Sequence, residues 1–232
     1  MTQPIIAFDL NKTLIKENSW YDLNLAMGIS AQEDELLYRL SPEDEGILSY
    51  AEWIDILTRL MKARGKATRK NIEDVILKFN YLDGAKETVA TLKAEGYTVG
   101  LITGALSPIA EKVSAELGLD FMYCNAEMQF DEQDILQAIH LNGEDFQAKV
   151  DAVSDLRQKY PDVKDIYYVA DGDTDEAIFK VTKGIMVTAD HQLHEDWKRQ
   201  ALEDGQEFSA QRAAKAAWKV VGNIKEITEL IK

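Results

Sequence analysis

The chain has 232 residues, 46% of them hydrophobic, which suits one α/β domain with an insertion, or two small domains, and is too apolar for a disordered chain. Acidic residues outnumber basic ones 41 to 26, and the formal charge of −15 repels nucleic acid and anionic membrane at long range, setting both aside as partners. The single cysteine, Cys124, leaves no internal disulfide, no apolar run reaches the roughly 18–20 residues of a membrane span, and the N-terminus enters a strand pattern in place of a signal sequence, so the expected location is the cytoplasm.

"PIIAF" is a short continuous apolar run, the mark of a strand buried on both faces, and it delivers Asp9 to its end. From Ser19 to Asn80 the pattern is helical. "SWYDLNLAMG" reads as a helix capped by Ser19 and stopped near Gly28. "SAQEDELLYRL" and "SYAEWIDILTRLMKARG" follow with Ser30 and Ser49 as N-caps, and "TRKNIEDVILKFN" is a fourth amphipathic stretch. From Asp83 strands and helices alternate. "DGAKETVATLKAEG" is a helix ending at Gly96, "YTVGLIT" a strand, and "SPIAEKVSAELG" a helix with Ser107 as N-cap, Pro108 in its first turn and Gly118 at its end. "FMYCNAEMQF" and "ILQAIHL" around "DEQD" form a hairpin. "EDFQAKVDAVSDLRQKY" is a helix, "DIYYVA" a strand, "DEAIFKV" a helix, "GIMVTA" and "WKVVG" strands, and "NIKEITELIK" a helix with a capping box of Asn223 and Glu226. The stretch from Asp190 to Ala214 is charged and helical in pattern. The expected fold is α/β, a mostly parallel, Rossmann-like sheet covered on both faces. Residues 1–15 and 82–232 would make the core, and residues 16–81 an inserted helical cap domain.

In open α/β sheets ligands bind beyond the carboxyl ends of the strands. There the sequence puts Asp9, the pair Thr103-Gly104, and the acidic loop "DGDTD" from Asp171 to Asp175, with Lys149 on the helix before "IYYVA". These supply a nucleophilic carboxylate, a hydroxyl with adjacent backbone donors, a cation, and hard oxygen ligands for a divalent metal. A phosphoryl group needs that set.

On these residues the chain resembles the haloacid dehalogenase superfamily, and most closely its phosphoserine-phosphatase-like branch. The strand-DxDxT motif is matched by Asp9 and Thr13, with Asn11 in place of the second Asp. Strand-[ST]-G-[GA] is matched by Thr103, Gly104 and Ala105, and the lysine motif by Lys149. Strand-GDGxND is matched by Asp171, Gly172 and Asp175, with departures at Ala170 and Thr174. The resemblance covers Pro4 to Thr13 and Asp83 to about Val187. It implies that Asp9 attacks phosphorus, and that Asp9, the Asn11 backbone carbonyl and Asp171 ligate Mg²⁺ in a shell oriented by Asp175. Thr103, Gly104 and Lys149 would hold the phosphoryl oxygens. The substrate it implies is a small phosphorylated metabolite; neither the oligomeric state nor the particular ester is legible. Two contacts of the phosphoserine enzymes are not matched: Asn18 stands at an acidic position, and Leu57 near the cap arginine.

Asn11 occupies the position of the general acid and base, so the expected enzyme is a phosphoric monoester hydrolase of reduced turnover. The substitution is either natural or an engineered Asp-to-Asn change. A phosphotransferase and a catalytically degenerate phospho-ligand binding protein are the rival readings. Other signals weigh less. "DGDTDE" opens like a calcium loop, but that pattern needs Gly and Glu where Glu176 and Thr182 stand. His191 and His194 sit one helical turn apart without a third nitrogen or sulfur ligand nearby, as surface histidines do. Cys124 lies in an apolar strand, where a thiol is buried and inert. The basic run from Lys62 to Lys70 reads as a solvated helix end sooner than as a receiver of anions.

Overall fold

The computed structural model describes residues 4–41, 46–172, 174–188 and 209–232. A seven-stranded sheet runs through it in the order β4-β3-β2-β1-β5-β6-β7. Here β1 is Ile5–Phe8, β2 Thr98–Leu106, β3 Phe121–Phe130, β4 Leu136–Leu141, β5 Ile166–Ala170, β6 Lys183–Val187 and β7 Lys219–Val221. All pairings are parallel except β3 with β4, the expected hairpin. The strand β1 is central. The chain leaves it toward β2 on one side and later returns to β5 on the other, so the sheet reverses direction at the end of β1. A crevice opens at such a switch point.

The four residues of β1 are fully buried. Their period of two sends Ile6 and Phe8 into one apolar cluster and Ile5 and Ala7 into a second on the opposite face, which is why the run is continuous rather than alternating. Burying a side chain such as Phe8 contributes about 1.5–3 kcal/mol. No helix of the described residues is long and apolar enough to cross a membrane.

Between β1 and the sheet's next helix lie four helices: α1 (Ser19–Ala26), α2 (Ala31–Leu40), α3 (Tyr50–Ala63) and α4 (Arg69–Ile76). Ser30 and Ser49 cap α2 and α3, each in a capping box with Glu33 or Glu52. The cap of α1 is Asn18, not Ser19; its side chain accepts the N–H groups of Trp20 and Tyr21, and Ser19 is already helical. The helices α5 (Ala85–Ala94), α6 (Ser107–Leu117), α7 (Asp145–Lys159), α8 (Glu176–Val181) and α9 (Ser209–Ala216) follow. Ser107 likewise lies within α6 rather than capping it, and its hydroxyl accepts the N–H of Met128. The C-terminal segment opens with the expected Asn223–Glu226 box, but on a 3-10 turn (Ile224–Glu226) that leads into a short α10 (Ile227–Leu230). The stretch from Asp190 to Ala214 enters the described residues only in α9, and His191 and His194 lie outside them.

Candidate active site

Asp9 follows β1 directly, and its backbone N–H donates to Val169 O of β5 at 2.8 Å. The sheet thereby fixes its carboxylate above the switch point. Thr103 stands on the neighbouring strand. The strand β2 runs past Thr103 and Gly104 to Leu106 instead of ending at them, with its register against β3 broken between Thr103 and Leu106. That irregularity lets the Thr103 hydroxyl accept the Ala105 N–H at 3.1 Å while it faces Asp9, whose carboxyl pKa it helps to lower. Gly104 is required by packing: a Cβ there would lie 2.3 Å from Asp145 Oδ1.

The loop after β5 brings in Asp171 and Asp175, with Gly172 turned at φ 100°. Asp175 is almost fully bonded. Its Oδ1 accepts from Lys149 Nζ at 2.7 Å and lies 3.1 Å from the Tyr168 hydroxyl, and its Oδ2 accepts the Gly172 N–H at 3.3 Å. Lys149 reaches in from α7 and also lies 3.9 Å from Asp9 and 3.7 Å from Asp145. Its burial opposes the charge, but Asp175 and then Asp9 outweigh it, holding the ammonium well above the ordinary lysine range. Burial raises Asp9 in turn, Lys149 lowers it, Asp175 raises it again, and the carboxyl rests at about 6.

Asp9, Asp171 and Asp175 offer oxygens within 4.8 Å of one another, all buried. Three buried carboxylates share one buried lysine, which leaves the cluster net negative in a low dielectric, while Asp9 itself is raised chiefly by its burial, with a further rise from Asp175. A hard divalent cation suits this donor set. The residues therefore fit a metal of the Mg²⁺ type.

A cavity of about 140 Å³ opens over these groups. Asp9, Asn11, Lys12, Thr103, Gly104, Asp145, Lys149, Asp171 and Thr174 form its floor. Asn18, Trp20, Tyr21, Asn24, Asp34, Tyr38, Tyr50 and Trp53, from α1 to α3, form its roof. The Trp20 indole N–H donates to Gly104 O at 3.0 Å, tying α1 to the strand that carries Thr103. Asn11 lies at the join, where its Oδ1 accepts the Ser19 N–H at 3.1 Å. Leu57 is buried among the helices and does not line the cavity.

The structure thus brings together Asp9, Asn11, Thr103, Gly104, Lys149, Asp171 and Asp175. The basic run from Lys62 to Lys70 lies elsewhere, with Arg64 on Glu33 at 2.7 Å, Arg69 on Asp134 at 2.8 Å, and Lys70 on Asp74. Burial raises the Cys124 thiol to about 12, which leaves it inert. Sequence reasoning missed Asp145, which lies beside Lys149, Asn125, which bonds Asp145, Tyr168, which bonds Asp175, and Lys12, whose buried ammonium has no hydrogen-bond partner among the described residues. Only Asp145 had a local signal, its (i, i+4) spacing from Lys149 on one helix face.

A sequence profile described as haloacid dehalogenase-like hydrolase matches residues 6–180. A phosphoserine phosphatase of Archaeoglobus fulgidus is 27% identical over 121 residues, which cover 52% of this chain and 33% of that one. The enzyme of Methanocaldococcus jannaschii is 26% identical over 121 residues, covering 52% and 54%. The matched region spans about half, or less, of those curated relatives. Among solved structures, a substrate-bound phosphoserine phosphatase superposes with a TM-score of 0.76 at 18% identity, covering 100% of this chain and 99% of that one. A phosphoserine phosphatase in a phospho-aspartyl intermediate analogue form gives 0.75 at 19%, with 100% of both chains covered. At these identities the likeness establishes the fold.

Proposed function

The chain belongs to the haloacid dehalogenase-like hydrolase family, and from that premise we propose that it is a Mg²⁺-dependent phosphatase that hydrolyses a small phosphorylated metabolite through an aspartyl phosphate on Asp9. The observation that carries this reading is the Asp9 carboxylate at the switch point, with Asp171 and Asp175 within 4.8 Å and the Lys149 ammonium 3.9 Å away.

In this reading the Asp9 carboxylate attacks phosphorus and the ester oxygen departs with the bonding pair. Water then attacks phosphorus, releasing inorganic phosphate and restoring Asp9. Lys149, the Thr103 hydroxyl and the Gly104 N–H hold the phosphoryl oxygens as charge develops on them. Asp175 is a positioning residue, because its oxygens fix Lys149 and the turn at Gly172. Asp9, the Asn11 carbonyl and Asp171, braced by Asp175, would hold Mg²⁺, which would supply charge neutralisation for the attack on phosphorus. Residues 16–81 act as a cap whose closure excludes water from the cavity.

Asn11 weakens both steps. An amide does not exchange a proton at useful pH, so the leaving oxygen lacks an acid and the water lacks a base. Its oxygen is turned to the Ser19 backbone, a bond that an aspartate could make equally well. General acid–base help is worth roughly 10²–10⁴-fold in rate, about 3–5 kcal/mol of barrier. The same feature favours a second reading, a phosphotransferase or a degenerate phospho-ligand binding protein. Phosphate release from a panel of esters, by the native chain and by Asp9→Ala, tests the proposal. Mg²⁺-dependent release that Asp9→Ala abolishes supports it. Release that survives Asp9→Ala removes it.

A further inference from the structure

The two ends of the cavity differ in chemistry. Both of its lysines, Lys12 and Lys149, belong to the floor, where the phosphoryl group would sit. The roof residues from α1, α2 and α3 are Trp20, Tyr21, Asn24, Asp34, Tyr38, Tyr50 and Trp53; among the described residues that line it, none is cationic. A roof built for a carboxylate would carry an arginine or lysine, and this one carries a carboxylate of its own.

The rings are mutually inclined. Trp20 and Trp53 lie 5.7 Å apart at 48°, and Tyr50 meets Trp53 at 6.2 Å and 81°. The three rings pack on one another into a contiguous aromatic wall of the cavity, and the face of such a wall attracts an ammonium group through the negative faces of its rings. Asn24 adds a directional signal. It is 2% exposed, and its amide nitrogen donates to Asp34 Oδ1 at 2.7 Å, which fixes the orientation of the amide. The opposite atom, Asn24 Oδ1, is then a buried acceptor with no donor among the described residues, on a residue that lines the cavity. A buried acceptor without a partner is costly, and an N–H donor on the ligand would satisfy it. The cavity volume of about 140 Å³ is several times the roughly 10–15 Å³ that one water needs on the same measure. It admits a phosphoryl group and a head of a few heavy atoms.

We propose that the roof is a subsite for a cationic head group, and that the substrates are phosphate monoesters of small amino alcohols, with the ammonium between Asp34, Asn24 and the Trp20, Trp53 and Tyr50 rings. This rests on the phosphatase reading of the floor.

The test measures Mg²⁺-dependent kcat/KM for phosphoethanolamine, phosphocholine, O-phosphoserine, glycerol phosphate and p-nitrophenyl phosphate, using the native chain and its Asn11→Asp variant. Phosphoethanolamine, whose ammonium can donate to Asn24 Oδ1, should exceed glycerol phosphate and phosphoserine by at least about tenfold, the discrimination expected of one desolvated cation–π and carboxylate contact, and should also exceed phosphocholine, which has no N–H to give. In Asp34→Asn that preference ratio should fall about tenfold. Equal or better use of glycerol phosphate or phosphoserine overturns the inference, as does an unchanged ratio in a folded Asp34→Asn. If p-nitrophenyl phosphate is cleaved without any ammonium preference, the subsite fails and the phosphatase reading stands. If no ester is cleaved, the phosphatase reading fails. Calorimetric titration of the native chain with phosphoethanolamine and glycerol phosphate in Mg²⁺ then decides the subsite: tenfold tighter binding of the ammonium ester sustains it, and equal or absent binding overturns it.

Discussion

Replacing Lys149 by methionine keeps the length of the side chain and removes its charge. In the folded protein the ammonium lies 2.7 Å from Asp175, 3.7 Å from Asp145 and 3.9 Å from Asp9, in a site where it is itself 3% exposed. At an effective dielectric of about 20, each such contact is worth about 4–6 kcal/mol of gross attraction. Desolvation of the lysine offsets much of it, so the net cost of removing one partner of a buried ion pair is the better guide, about 3–5 kcal/mol. The pH dependence has a definite sign. Asp9 already stands at about 6 when folded, above its ordinary 3.8, and losing Lys149 moves it further up. A carboxyl raised on folding withdraws stability as pH climbs from the unfolded value through the folded one. Lys149→Met should therefore lose about 3–5 kcal/mol at pH 8 in EDTA and distinctly less at pH 5, where Asp9 is protonated. Urea unfolding of both proteins at the two pH values measures this. A loss under about 1 kcal/mol at pH 8, or a larger loss at pH 5 than at pH 8, would refute the view that Lys149 is the charge holding these carboxylates together.

Other outcomes follow from the same geometry. Asn11→Asp should raise steady-state phosphate release at least about tenfold on some ester, a cautious part of the general-acid range, because the Ser19 hydrogen bond survives the change; no gain on a broad panel by a folded, Mg²⁺-binding variant would move the binding-protein reading ahead. Gly104→Ala puts a methyl 2.3 Å from Asp145 Oδ1 and should cost about 10²-fold in kcat/KM by displacing the groups around Lys149; an unchanged rate would show that the close approach is not needed. Ser30→Ala removes one capping box and should cost about 1 kcal/mol in thermal unfolding. Glu33, held at about 2 chiefly by the Ser30 N–H and then by Arg64, stabilises the fold above its ordinary pKa and loses that effect as pH falls through 2. A Glu33 carboxyl resonance titrating near 4.5 would contradict this.

The sheet was legible because its signals are local. "PIIAF" can only be satisfied by burial on both faces, and Ser30–Glu33 and Ser49–Glu52 each carry a whole capping box within four residues. Where neighbours compete, the pattern misleads by one position: Asn18 precedes Ser19, and an Asn already outside the helix takes the cap. The floor of the cavity could be read as strand ends in order, but Tyr168 and Asn125 could not. Each sits inside a strand whose alternation looks like ordinary core, and only the sheet order places them beside Lys149 and Asp145. The roof was illegible for a related reason. Trp20, Tyr38, Tyr50 and Trp53 fit amphipathic helices packed on one another, and nothing in their spacing says which of them faces a cavity.

We propose Asp9 as the nucleophile of a two-step phosphoryl transfer whose second step Asn11 slows. This is tested most directly by mixing the native chain with Mg²⁺ and p-nitrophenyl phosphate, quenching in acid, and measuring the intact mass and the modified peptide. One phosphoryl group per chain is expected, carried by Asp9, labile to hydroxylamine, absent from Asp9→Ala, and less populated in Asn11→Asp as the second step recovers. A phosphoryl group on another residue, or one that persists in Asp9→Ala, would contradict it.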